Sequence, residues 1–265
     1  MKQPVFEGLA TAIVTPFRNG TIDIPTFEKL LDAQLAANVD AIVVCGTTGE
    51  SATLSSSEQL TLIAHAMQYT AGRCKIIAGT GSNDTAHAID LSRAASSMGA
   101  CAVLVVTPYY NKCTQSGLIA HYTAIADASD KPLILYNVPS RTGCNLLPAT
   151  CAALADHPRI AAVKEASGNI GQIVELAALA GDRLAIYSGN DDHIVPVLSM
   201  GGSGCISVLS NVVPREAQAL CHRFFAGDVA GAAALQCKLL PLVNVLFSEV
   251  NPIPVNAALA AMGFG

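Results

Sequence analysis

Arg159-Ile160-Ala161-Ala162-Val163-Lys164-Glu165-Ala166-Ser167-Gly168 is the stretch on which the reading of this chain turns. It is apolar without alternation until it meets a lysine, and then becomes polar. An unbroken apolar run suits a strand covered on both faces, the habit of parallel sheets. The lysine at its end has two readings. One is a snorkelling or ion-paired side chain. The other is a reactive amine: burial disfavours the charged form of an amine, and the uncharged form attacks carbonyl carbon.

The pattern recurs. Apolar runs at 10–14, 41–45, 75–78, 102–106, 133–136, 161–164, 184–188 and 204–208 make eight candidate strands. Ala-rich amphipathic stretches such as 26–37, 57–69, 85–98 and 115–128 lie between them. Strand–helix alternation predicts an α/β fold with a parallel sheet, and eight units predict a closed (β/α)8 TIM barrel. A doubly wound sheet is the alternative. Helical segments at 228–246 and 255–262 follow the eighth unit. No Pro/Gly/Ser-rich linker or charge run divides the chain, so 1–265 reads as a single barrel domain with 228–265 as a partial C-terminal helical extension.

Composition agrees with a large core. Hydrophobic residues make up 51% of the 265 and charged residues 13%. So lean a surface leaves apolar area for subunit contacts. The net charge of −5 and the lack of a basic stripe argue against a nucleic-acid partner. No apolar run reaches the roughly 18 residues of a membrane span, and Met1-Lys2-Gln3-Pro4 lacks a signal-peptide core. The nine cysteines, Cys45, Cys74, Cys101 and Cys205 among them, are scattered through apolar segments without a CxxC pair. They read as reduced core thiols of a cytoplasmic protein.

In such a barrel chemistry sits at the carboxyl ends of the strands. The second strand ends in Cys45-Gly46-Thr47-Thr48-Gly49-Glu50-Ser51, which either holds a carboxylate or phosphate or is a turn before a capped helix. The fourth ends in Thr107-Pro108-Tyr109-Tyr110-Asn111, two adjacent tyrosines in a chain with six, suited to a proton relay, an interface or plain packing. The fifth ends in Tyr136-Asn137-Val138-Pro139-Ser140-Arg141-Thr142-Gly143. There a tyrosine is placed for acid–base work, and an arginine fork either matches a carboxylate or makes a surface ion pair. Asp191-Asp192-His193 admits metal ligands but fits a helix N-terminus better. Gly79-Thr80-Gly81 is too short for a nucleotide loop.

Taken together, Gly46-Thr47-Thr48-Gly49-Glu50-Ser51, Tyr136-Asn137-Val138-Pro139 and Val163-Lys164-Glu165-Ala166 resemble the dihydrodipicolinate synthase / N-acetylneuraminate lyase family of pyruvate-dependent class I aldolases, from about residue 9 to residue 262. The Gly-Thr-Thr-Gly-Glu-Ser form and Arg141-Thr142-Gly143 look like the synthase branch rather than the sugar-acid lyases. The resemblance implies a Schiff base between Lys164 and pyruvate, with Tyr136 passing protons. Thr48 is expected to link Tyr136 to Tyr110, the latter arriving from a neighbouring subunit. Thr47 and Thr48 would hold the pyruvate carboxylate. Arg141 would bind the carboxylate of L-aspartate 4-semialdehyde, and Gly189 and Ile206 would line the pocket. It implies no metal, no organic cofactor, and a homodimer or homotetramer. Alternatives are a sibling aldolase acting on N-acetylneuraminate or a keto-sugar acid, and a non-catalytic scaffold.

Two departures matter. Ser51, Ala52, Asn83 and Tyr109 match the family's lysine effector pocket, but Ser56 and Gln59 replace histidines and His87 replaces a glutamate. Weak or absent inhibition by lysine is therefore expected. Family members generally continue past Asn251-Pro252-Ile253-Pro254 with further helices, whereas this sequence ends at Gly265, so a shortened extension and an altered assembly are expected.

Overall fold

The computed structural model describes residues 3–264; Met1, Lys2 and Gly265, which belong to the expected domain span and leader reading, lie outside the described residues. The chain opens with β1 (Gly8–Ala12), a small hairpin of β2 (Phe17–Arg18) and β3 (Thr21–Ile22), then α1 (Ile24–Ala36), β4 (Ala41–Val44) and α2 (Ser56–Thr70). It continues with β5 (Lys75–Gly79), α3 (Thr85–Met98), β6 (Ala102–Val106), α4 (Gln115–Ala128), β7 (Leu133–Asn137), α5 (Pro139–Thr142) and α6 (Pro148–Leu154). Then come β8 (Ile160–Glu165), α7 (Ile170–Ala180), β9 (Ala185–Ser188), α8 (Ile194–Ser199), β10 (Gly204–Ser207), α9 (Pro214–Phe225), α10 (Val229–Leu246) and α11 (Ile253–Ala261).

Eight strands close a parallel barrel in the order β1-β10-β9-β8-β7-β6-β5-β4. The doubly wound alternative is excluded, because closure pairs Ala10 with both Ala41 and Ile206. Side chains alternate between two apolar layers, as the strand period requires. On β7, Leu133 and Leu135 join the layer under the helices, while Ile134 and Tyr136 join the barrel interior. The bottom of the interior is plugged by Phe6 stacked on Tyr187, ring centroids 4.2 Å apart.

Local chemistry sets the helix starts. Asp23 accepts from Thr26 N to cap α1, and Ser55 with Glu58 forms a capping box on α2. β1 lies two residues earlier than the apolar run suggested. It starts at Gly8, which holds φ +107, while Ile13 and Val14 stay buried beyond the strand end.

α10 has 18 residues at mean hydropathy 1.6, enough by length and composition to cross a membrane. It escaped notice as an apolar run because Gln236, Lys238 and Asn244 interrupt it. Its buried face (Ala232, Gln236, Leu239, Val243, Leu246) packs against α8, α9 and α11. From that face Gln236 Nε2 donates to Asp191 O at 2.7 Å.

Candidate active site

Lys164 points inward because of one extra residue. Ile160 pairs with Leu133 and joins the outer layer. Strict alternation from Ile160 would send every even-numbered residue of β8 outward, Lys164 included. The register shifts between Leu133 and Ile134, so Ala162 rather than Ala161 opposes Ile134. Ala161 is thus a bulge residue, and bulges re-aim side chains. After it, Ala162 and Ala166 face the interior, Val163 faces the helices, and Lys164 lies on the inward set.

The lysine is 5% exposed, and its Nζ lies 4.2 Å from the centre of the Tyr136 ring. Tyr136 pairs with it across β7–β8 and is buried. Gly189 lies against it from the neighbouring strand: a Cβ there would meet Lys164 Cγ and Cε at 3.1 Å and Ala166 Cβ at 2.7 Å. Ile206 belongs to the same interior cluster as Tyr136. Lys164, Tyr136, Gly189 and Ile206 are therefore brought together on the barrel floor.

The β4 end supplies the threonines. Gly49 N donates to Gly46 O (3.1 Å) and Glu50 N to Thr47 O (3.0 Å), making a tight turn flanked by left-handed Cys45 and Glu50, both at φ 57. Thr47 lines the cleft above the floor, and Thr48 is buried beneath it. The partner found for the Thr48 hydroxyl was not anticipated: Asn251 Nδ2 donates to Thr48 Oγ1 at 3.0 Å. Asn251 O in turn accepts from Arg141 Nη1 at 3.4 Å. A residue next to α11 thus joins two predicted site residues, and no local pattern announces it, because 203 positions separate Asn251 from Thr48.

The upper cleft, about 680 Å³, is also lined by Ser51, Ala52, His87, Tyr109, Tyr110 and Arg141. Asn83 is not on its wall; its side-chain amide donates to Tyr109 O at 3.3 Å and so steadies the tyrosine loop. Ser56 is exposed on α2, outside the lining. Tyr110 is 92% exposed and sits in the left-handed region at φ 79. Arg141 is exposed on α5 at the same mouth.

Glu165, next to the lysine, is buried, and among the described residues its partners are neutral donors. Asn137 Nδ2 donates to both its oxygens (3.3 and 3.1 Å), Ser167 N to Oε1 (2.7 Å) and Gln172 Nε2 to Oε2 (3.4 Å). A buried carboxylate so surrounded by donors is satisfied in place, and it ties β7, β8 and α7 together directly behind Lys164. Asp191 and Asp192 stand in the first turn of a short helix at Asp191–His193, as expected, and Asp191 Oδ2 also accepts from Val208 N (3.0 Å) and Leu209 N (2.9 Å) at the end of β10. Among the described residues no three His, Cys, Asp or Glu side chains form a metal-binding group.

Comparison with known proteins agrees with this geometry. The dihydrodipicolinate synthetase family matches residues 5–265. The 4-hydroxy-tetrahydrodipicolinate synthase of Lachnoclostridium phytofermentans is 53% identical over 262 residues, covering 98% of this chain and 89% of that protein. The crystal structure of dihydrodipicolinate synthase from Thermotoga maritima superposes with a TM-score of 0.96 at 44% identity, covering 98% of this chain and 90% of that one. A dihydrodipicolinate synthase variant described as monomeric gives the same TM-score and identity over 98% of this chain and 88% of its own. By sequence match and by superposition, the chain belongs to the dihydrodipicolinate synthetase family.

Proposed function

We propose that this chain is a 4-hydroxy-tetrahydrodipicolinate synthase, a lyase that condenses pyruvate with L-aspartate 4-semialdehyde through a Schiff base on Lys164. The observation that carries the reading is the inward, buried Lys164 with its Nζ over the Tyr136 ring. The name shared by the relatives supports the synthase over the N-acetylneuraminate alternative.

The steps follow from that placement. The Lys164 amine attacks the keto carbon of pyruvate; a C–N bond forms and the carbonyl oxygen leaves as water. The protonated imine draws electrons from the methyl group, which gives up a proton to become an enamine. The enamine carbon then attacks the aldehyde carbon of the second substrate. The substrate's own amine displaces Lys164, closing the ring and restoring the enzyme. Tyr136 is the proton carrier at the imine. Thr48, held by Asn251, is the hydroxyl next in the relay, and Tyr110 is its outer member. The Thr47–Thr48 turn takes the pyruvate carboxylate. Arg141, at the mouth, takes the carboxylate of the semialdehyde by its bidentate fork.

We further read the chain as one barrel domain that works in the cytoplasm as a homo-oligomer. A tyrosine 92% exposed in a left-handed backbone gains little from its own chain. A partner subunit packed over the mouth would give it a use. The test is borohydride reduction with pyruvate followed by intact-mass measurement and peptide mapping. An adduct on Lys164 is expected; a chain that gains no mass refutes the reading. A substrate panel with pyruvate held constant then separates the semialdehyde from sugar aldehydes.

A further inference from the structure

Among the described residues two pairs of thiols stand in contact, and they differ in access. Cys205 Sγ lies 3.8 Å from Cys221 Sγ, and Cys113 Sγ lies 3.8 Å from Cys144 Sγ. Cys205 and Cys221 are both sealed in the core between β10 and α9. Cys144 is buried as well, but Cys113 is only half-buried. The accessible pair also joins the two loops that carry the rim. Cys113 stands three residues after Tyr110, just ahead of Thr114, whose side chain caps α4. Cys144 stands three residues after Arg141, just past the end of α5. Tyr110 and Arg141 both line the upper cleft.

Polar contacts already hold these loops together. Thr107 Oγ1 donates to Thr142 Oγ1 at 3.1 Å, and Thr142 Oγ1 donates to Cys144 O at 3.0 Å. Beyond the thiols, Gln115 Nε2 donates to Asn145 O at 2.8 Å. The Cys144 backbone is thus fixed, with its thiol against the Cys113 segment. We propose that Cys113 and Cys144 form a reversible disulfide, with a small organic disulfide as the oxidant, and that this bond clamps the tyrosine loop to the arginine loop and slows turnover. The effect on turnover rests on the synthase reading; the bond itself does not.

The step is thiol–disulfide exchange. The Cys113 thiolate attacks one sulfur of the small disulfide; a new sulfur–sulfur bond forms and one small thiolate leaves. The Cys144 thiolate then attacks the Cys113 sulfur, and the second small thiolate leaves. The protons given up by the two cysteines end on the two small thiols. The cysteine pair loses two electrons and the small disulfide gains them. Access makes Cys113 the entry point and the buried Cys144 the resolving thiol. Burial and then the Cys144 thiol push the Cys113 thiol up to about 11, so exchange is slow near neutral pH and needs sustained oxidant. Bonded sulfurs sit about 2 Å apart, so this pair must close by roughly 2 Å. The loops carrying Tyr110 and Arg141 take up part of that movement, and a misplacement of about 1 Å is enough to cost a large factor in rate.

The full chain should be incubated with oxidised glutathione in mildly alkaline buffer, its remaining thiols blocked, and its peptides mapped by mass. A link between Cys113 and Cys144 is expected, with Cys205 and Cys221 still free. Turnover is expected to fall by roughly tenfold or more and to return with dithiothreitol, while borohydride trapping of pyruvate on Lys164 persists. Cys113→Ser should turn over equally before and after treatment. A map with Cys113 and Cys144 both free overturns the proposal, and so does a link that leaves turnover unchanged. An equal loss of turnover in treated Cys113→Ser also overturns it, tracing the effect to another thiol such as the exposed Cys237. If Cys113→Ser does not fold, Cys144→Ala is held to the same outcomes. A chain without turnover before treatment fails the synthase reading, a distinct failure, and the peptide map alone then upholds or overturns the bond.

Discussion

Lys164 and Tyr110, which we propose serve one reaction, stand on opposite kinds of structure. The lysine stands on a central strand hydrogen-bonded on both sides, re-aimed by a bulge, and 5% exposed. The tyrosine stands on a loop, 92% exposed, in a left-handed conformation that costs a non-glycine residue about 1 kcal/mol or more. The group around Lys164 is thus assembled within one chain. The rim has a residue held in place at a backbone cost. Such a cost is tolerated where function needs the geometry. The difference separates what the fold builds alone from what we propose assembly must finish.

The largest expected effect is on the floor. Lys164→Ala should abolish the trapped adduct and lower kcat by roughly four orders of magnitude or more, since a covalent route is lost outright. Residual trapping at another lysine would break the assignment. At the rim, Tyr110→Phe should keep the adduct and lower kcat by about a hundredfold, the worth of one positioned proton carrier. If the rim is finished by a second copy, specific activity should also fall on dilution, together with the mass seen in sedimentation. A concentration-independent rate per chain would show the rim to be finished from within.

Much of this contrast was legible in the residues. Strands buried on both faces appear as continuous apolar runs, and the runs at 102–106 and 204–208 fell on β6 and β10 with at most one residue of error. The candidate site residues were picked out by reactive types at the ends of those runs together with the family resemblance. The bulge at Ala161 was not legible. A run that is apolar on both faces has no polar alternation whose break would show a shifted register, so which face Lys164 took had to come from the pairing itself. Asn251 was hidden for another reason: an asparagine beside a proline reads as a turn, and its bond to Thr48 exists only once α11 folds back over the barrel mouth. The hairpin of β2 and β3 was too short, at two residues a strand, to give any pattern.

A smaller effect probes the join between floor and rim. Arg141 is exposed at the mouth and is tied through Asn251, whose carbonyl accepts from Arg141 Nη1, to Thr48. Arg141→Ala should leave pyruvate trapping intact and raise the KM for the aldehyde roughly tenfold to a hundredfold, the loss of one charge-assisted contact. Pyruvate kinetics measured in the same variant make the split visible. Unchanged aldehyde kinetics would remove Arg141 from substrate binding and reopen the choice of aldehyde.

The smallest expected effect lies furthest out on the rim. Ser51, Ala52, His87 and Tyr109 share the cleft wall, and Asn83 steadies Tyr109 from outside it. An amino acid bound there would need an anion for its side-chain ammonium. The acid on this wall is Glu50, whose Oε1 already accepts from Asn256 Nδ2 at 3.1 Å; His87 offers an imidazole instead. An ammonium left without a charge-assisted acceptor forfeits about 1.5–3 kcal/mol of binding. Millimolar lysine should therefore change the steady-state rate by less than about twofold, because the missing contact costs tenfold or more in affinity. His87→Glu supplies the acid and should make inhibition appear at the same lysine concentrations, with Lys164 trapping untouched. Strong inhibition of the unaltered chain would mean that Glu50 turns away from Asn256 to meet the ligand, and the rim would then be more adaptable than its contacts suggest.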